Sequence, residues 1–191
     1  MFEQLYESLH ENVSLTDKEW ELCKTSFSPK KMRKGKFLLQ EGDVCRRIAF
    51  IEKGALYSYS TDKKGNYHVI QFGFDGWWIA DLYSYFNNEP SSINIEVLED
   101  SELLLIDRVQ HERLLNEIPA YGKYTRIIFQ NAFVALQRRI ESALGLTAEE
   151  KYSRLIEQSH QFMNRVPLHL IASYLGVSPE TLSRVRAQMA G

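Results

Sequence analysis

The spacing of apolar residues changes twice along the chain. Residues 1–27 read as helical: Thr16-Asp17-Lys18-Glu19 is a capping box, and Trp20, Leu22, Cys23 and Phe27 form an apolar stripe behind it. From about 30 to 106 the runs become short or alternating: Phe37–Leu39, Ile48–Ile51, Ala55–Ser60, Tyr67–Phe74, Ile93–Leu98 and Leu103–Ile106. Turn residues separate them, among them Gly35, Gly42-Asp43, Gly54, Lys64-Gly65-Asn66, Gly73 and Asp75-Gly76. Many short strands at this spacing predict an antiparallel barrel or jelly roll. Residues 77–90, WWIADLYSYFNNEP, are too long for a tight hairpin and predict a short helical or irregular insertion.

After Asp107 the helical period returns. His111–Glu117 is short and stops before Pro119, and 119–145 reads as one long helix, with Pro119 near its start and Gly145 at its end. Two apolar stripes run along it: Phe129, Phe133, Leu136, Ile140 and Ala143, and Tyr121, Tyr124, Ile128, Ala132 and Ala135. One stripe can cover the chain's own barrel. The second fits the same helix from another copy, or burial within one chain. Thr147-Ala148-Glu149-Glu150 is a second capping box. It opens a helix through about Met163, with Tyr152, Leu155, Ile156 and Phe162 as core candidates, and Asn164-Arg165-Val166 link that helix to the C-terminal segment.

Residues 168–187, LHLIASYLGVSPETLSRVRA, have the layout of a helix-turn-helix. Ile171 and Leu175 share one face of a first helix around Ala172. Gly176 ends that helix where the backbone turns left-handed. Val177 fills the corner, Ser178 is the N-cap and Pro179 takes the first helical position. Leu182 and Val185 then point inward. Pro179, Glu180, Thr181, Ser183, Arg184 and Arg186 are left for the outer face. Such a unit places its second helix in the DNA major groove. An ordinary helical hairpin has similar punctuation, but not the immediate restart and the polar face with two arginines.

The 191 residues are 44% hydrophobic and 25% charged, an ordinary globular composition. The net charge of −2 conceals an asymmetry: residues 1–107 hold 18 acidic and 12 basic side chains, and 108–191 hold 7 and 11. A basic C-terminal part fits a nucleic-acid-binding end. No apolar run reaches the roughly 20 residues a membrane span needs. The acidic, amphipathic start, MFEQLYESLHENVS, is not a secretory signal, so a cytoplasmic location is expected. Cys23 and Cys45 lack a metal-type spacing and read as buried or idle thiols. A metal-dependent jelly-roll enzyme would need several converging histidines; of the five, only His68 lies in the strand region. Neither a nucleophile elbow nor a phosphate-binding loop is present, so neither catalysis nor a metal is expected.

Barrel, long helix and C-terminal helix-turn-helix together resemble the cyclic-AMP receptor / fumarate-nitrate reductase regulator (Crp/Fnr) family over nearly the whole chain. The C-terminal part, TAEEKYSRLIE followed by RVPLHLIASYLGVSPETLSRVR, carries the most specific likeness. The barrel stretch KGKFLLQEGDVCRRIAFIEKGALYSYSTDKKGNYHVIQF resembles the family's opening strands. The resemblance implies an α+β fold: an N-terminal antiparallel jelly-roll β-barrel like that of cyclic-nucleotide-binding domains (1–118), a dimerisation helix (119–145) and a helix-turn-helix domain (146–191). It implies a bacterial homodimeric transcription regulator that binds double-stranded DNA, with RNA polymerase as a further partner if it activates. Glu180 and Arg184 match the family's base-reading positions, and Pro179 stands where one branch has a base-reading arginine.

The effector cassette departs from the family pattern. Its ribose-binding Gly-Glu-Leu element becomes Ala80-Asp81-Leu82, and its phosphate-binding Arg-Ser pair falls on Ser91-Ser92. A serine hydroxyl cannot supply the bidentate, charge-assisted bonds of a guanidinium. No lysine or arginine lies between Lys64 and Arg108. Cyclic AMP is therefore not expected, and no cofactor is assigned. Trp77 and Trp78, with Asp81, Leu82, Ser91 and Ser92, are the candidate lining of an altered pocket. DNA contacts are expected from Ser178, Pro179, Glu180, Thr181, Ser183, Arg184 and Arg186. Dimer contacts are expected from Tyr124, Ile128, Phe129, Ala132, Phe133, Leu136 and Ile140. A rival reading is a ligand-binding or scaffold protein whose helix-turn-helix makes protein contacts.

Overall fold

The computed structural model describes residues 1–158 and 164–189. They form two compact units, residues 1–59 with 72–130, and residues 60–71 with the described residues from 131 onward.

The first unit opens with α1 (Glu3–Asn12) and α2 (Asp17–Ser26). The Thr16 capping box forms: the Glu19 carboxylate accepts from the Thr16 N–H at 2.8 Å, and Thr16 Oγ1 accepts from the Glu19 N–H at 3.4 Å. A six-stranded sheet comes next, of β1 (Ser28–Met32), β2 (Phe37–Leu39), β3 (Arg47–Thr61), β4 (Tyr67–Gly73), β5 (Trp78–Ile79) and β6 (Asn94–Asp107). The strand order is β1-β6-β3-β4, with β2 also on β6 and β5 also on β3. The expected runs Ile48–Ile51 and Ala55–Ser60 are halves of one strand, as are Ile93–Leu98 and Leu103–Ile106. Residues 47–51 of β3 pair with 103–107 of β6, whereas 55–59 pair with 94–99, and the register shifts around Gly54. The bulge turns two long strands through a corner so that each serves both ends of the barrel.

The segment 77–90 holds β5 and a short helix, α3 (Leu82–Asn87). Then come α4 (Arg108–Glu117) and α5 (Pro119–Gly145), whose first turns close the core. Phe50, Ile51, Leu56, Ile79, Ile95 and Leu103 are fully buried there with Tyr121 and Tyr124. Each such side chain contributes about 1.5–3 kcal/mol. Tyr124 was expected at a dimer interface; it is instead core, its hydroxyl bonded to Ser8 Oγ at 2.9 Å and receiving Trp78 Nε1–H at 3.0 Å. Ser8 belongs to α1, so the N-terminal helix covers Tyr124. That helix is held by the buried Glu52 carboxylate, which accepts from the Gln4 and Leu5 N–H groups at 2.7 and 3.3 Å. Desolvation raises the Glu52 pKa all the same.

Both cysteines are buried free thiols, and burial pushes Cys23 up to about 12, far from a reactive thiolate. His111 is also buried, edge-on to Tyr121, and desolvation lowers its pKa.

The second unit contains the β3–β4 hairpin tip, the distal half of α5, and α6 (Ala148–Gln158), α7 (Leu168–Leu175) and α8 (Pro179–Met189). The expected Thr147 capping box forms, with the Thr147 N–H on Glu150 at 2.8 Å and the Glu150 N–H on Thr147 Oγ1 at 3.3 Å. Tyr152 and Leu155 are buried. Phe162 and the expected helix end at Met163 lie outside the described residues. Among the described residues no helix is long and apolar enough to cross a membrane.

Candidate nucleic-acid interface

The recognition unit is built by local chemistry. Gly176 takes φ 69° and ψ 34°, and its N–H and that of Val177 close α7 on Ser173 and Ala172 carbonyls at 3.1 and 3.0 Å. The chain restarts at once: Ser178 Oγ accepts from the Thr181 N–H at 3.1 Å, and Pro179 opens α8. Ala172 and Leu182 are fully buried, and Ile171 and Val185 nearly so. These four lock the two helices together. The opposite face of α8 exposes Ser178, Pro179, Glu180, Ser183, Arg184 and Arg186. Thr181 is half-buried, its hydroxyl accepting from Ser178 Oγ at 3.2 Å. Hydrogen bonds at the N-terminus of α8 hold Glu180 below its ordinary pKa, so it presents a carboxylate. One helix thus offers an acceptor at Glu180 and a cationic fork at Arg184, one turn apart.

Helix α5 carries an uncovered apolar edge. Phe129, Phe133, Leu136 and Ile140 are all exposed, as are Val134 and Leu144. Ala132 is exposed with them, while Ile128 packs on the core beside Tyr121 and Tyr124. The two stripes therefore separate along the length of the helix. Its first turns face the chain's own core, and the stripe from Phe129 onward does not.

In the sensor unit, Asp81 and Ser91 are brought together and buried. Ser91 Oγ donates to Asp81 Oδ2 at 2.7 Å, and Asp81 Oδ1 accepts from the Ser84 N–H at 3.2 Å as the cap of α3. Leu82 and Ser92 are exposed and do not join them. Trp78, expected in a pocket lining, instead packs its ring on Phe27 and Phe50 at 6.0 and 5.2 Å, against the core. Trp77 is partly exposed, edge-on to Phe74 at 5.6 Å. Among the described residues, no cluster of three or more His, Cys, Asp or Glu could hold a metal ion.

Residues 29–117 match the model of the cyclic nucleotide-binding domain. The chain is 22% identical over 166 residues to the transcriptional regulatory protein Btr of Bordetella pertussis, covering 81% of this chain and 68% of that protein. It is 21% identical over 165 residues to the transcriptional activator Anr of Pseudomonas protegens, covering 81% and 67%. Its fold is similar to that of FixK2 from Bradyrhizobium japonicum, with a TM-score of 0.75, 16% identity and coverage of 86% and 84%. Over most of its length the chain is thus similar to transcription regulators, and its fold is shared with solved Crp/Fnr-family proteins. The matched range contains Asp81 and Ser91. The two curated relatives are regulators of transcription rather than enzymes, in agreement with the non-enzyme reading of the sequence.

Two side chains of this protein escaped the sequence reading. Arg139 and Ser173 bond the hairpin strand β4. An arginine in an Arg-Arg pair on a helix reads as a solvated charge, and a serine mid-helix reads as neutral. No local signal distinguishes either.

Proposed function

We propose that this protein is a cytoplasmic transcription regulator that reads a near-palindromic operator as a homodimer. The reading rests on the outer face of α8, polar and exposed above Leu182 and Val185. Arg184 bonds guanine O6 and N7, and Glu180 accepts from a cytosine amine. Thr181 and Ser183 reach phosphate or sugar, with Arg186 and the α8 N-terminus beside them. A second copy, joined along α5, places a second recognition helix about 34 Å away, one turn of DNA along. Operator affinity falls steeply and log-linearly with salt, which a scaffold using its helix-turn-helix for protein contacts would not show. Arg184→Ala costs about 1–3 kcal/mol and relaxes the preference at one base pair per half-site. Unchanged preference in a randomised-operator selection would refute the assignment.

The sensor of this reading does not take cyclic AMP. The Asp81 carboxylate stands against Ser91, the position at which the resemblance requires an arginine. A cyclic phosphate there would meet an anion in a buried setting with no cationic side chain from the surrounding sequence. Calorimetric titration with millimolar cyclic AMP is expected to give no saturable heat. Saturable binding would show that a cation arrives from elsewhere in the dimer.

A further inference from the structure

The edge of β4 in the second unit is not left open. A sheet edge carries unpaired N–H and C=O groups that a folded protein covers or blunts. Here side chains of α7 and α5 cover them. Ser173 Oγ accepts from the Val69 N–H at 3.0 Å and donates to the Tyr67 carbonyl at 2.6 Å. Arg139 Nη2 donates to the Val69 carbonyl at 2.7 Å and to the Tyr174 carbonyl at 3.4 Å. Its guanidinium carbon lies 4.2 Å from the centre of the Tyr174 ring. Three main-chain groups of one strand are thus satisfied by two side chains, where a neighbouring strand would otherwise lie. The guanidinium is held by carbonyl dipoles and a π face, and burial lowers its pKa.

The hairpin is itself stiffened. The Asp62 carboxylate accepts from the Lys64 and Asn66 N–H groups at 2.8 and 2.9 Å and from the Asn66 amide at 3.0 Å. A braced hairpin, the distal half of α5 and the first helix of the recognition unit therefore meet at one cation.

We propose that Arg139 is a positioning residue for DNA recognition: it latches α7 to the β3–β4 hairpin and so fixes where α8 is presented. The proposal rests on the DNA-binding reading above. The latch touches Ser173 and Tyr174 and leaves the outer face of α8 free, so it organises the reader without covering it. Holding α7 in place in advance removes part of the ordering cost of binding.

The test uses the full-length protein and the variants Arg139→Gln and Ser173→Ala, with two readouts. Amide exchange at Val69 is expected to speed up by about ten-fold or more in both variants. Operator affinity is expected to fall by about ten-fold, with the sequence preference kept. Arg139→Lys, which keeps the charge and loses the planar fork, is expected to restore only part of either. Unaltered exchange at Val69 would mean that the latch does not form in solution. Faster exchange with unaltered or increased operator affinity would mean that the contact does not position the reader. Either result overturns the proposal. If the wild type itself bound no DNA, the DNA-binding reading would fall, and exchange at Val69 would still report on the latch.

Discussion

Gly54→Ala melts about 10 °C or more below the wild type, with the loss falling on the sensor sheet. Gly54 has φ +116°, a conformation that side chains rarely adopt, and a Cβ built there lies 2.1 Å from Ser101 Oγ and 2.7 Å from Ser101 Cα. The second distance decides the size of the effect. A serine hydroxyl can rotate away, but the β6 backbone cannot retreat without breaking the pairing on either side of the bulge. Backbone strain and overpacking each cost about 1–3 kcal/mol. The Gly54 N–H also donates to Asp75 at 2.8 Å, a bond the displaced strand would lose. Gly65→Ala is the control: its φ is +83° but nothing lies within 4 Å of the new methyl, so only the local strain is expected. Circular-dichroism melts compare the two. Equal melting temperatures would mean that the corner gives way cheaply and that the crossing of β3 and β6 is not rigid.

The same glycine marks where sequence reading stops. Gly54 reads as a turn between two strands because glycine with flanking apolar runs usually is one. Here it bends a strand that keeps its partner, and that partner lies about 45 residues away in sequence. The edge strand β1 was invisible for the opposite reason. SPKKM has a proline and two lysines and no alternation, which suits an edge but resembles a loop; only its pairing with Ser101–Leu105 makes it a strand. The helix-turn-helix was legible to the residue because its determinants are local: a left-handed Gly176, a capping Ser178 and Pro179 at the first helical position. The expected pocket residues separate in the structure. No local signal shows that Asp81 and Ser91, ten residues apart, bond to each other. Tyr124 lies on a stripe that periodicity cannot assign, and it is settled by Ser8, more than a hundred residues earlier.

Phe133→Asp combined with Leu136→Asp is expected to yield a monomer at micromolar concentration with operator affinity lowered by at least about a hundred-fold. Phe133 is 69% exposed, Leu136 53%, Ile140 52% and Leu144 85%, although all four are large apolar side chains on one helix. Phe129, Phe133, Leu136 and Ile140 are spaced four, three and four, the seam of a helix pair, and Leu144 lies one turn beyond. In an isolated chain this stripe stays exposed, whereas a second copy would bury it from both helices. Each side chain buried there is worth about 1.5–3 kcal/mol, and the double variant removes two from each copy. It also sets four carboxylates in a desolvated seam, where like charges repel. Operator binding then loses the second recognition helix, and with it the effective concentration that joins two half-sites. Sedimentation gives the oligomeric state, and titration of full and half operators gives the affinity. A variant that stays dimeric would place the interface elsewhere on the chain. A monomeric variant with undiminished affinity for the full operator would mean that one copy suffices, and that the exposed stripe of α5 serves another partner. The wild type should prefer the full operator over the half-site, and the variant should not. That comparison separates lost dimerisation from a damaged recognition helix, because a misfolded reader would bind neither.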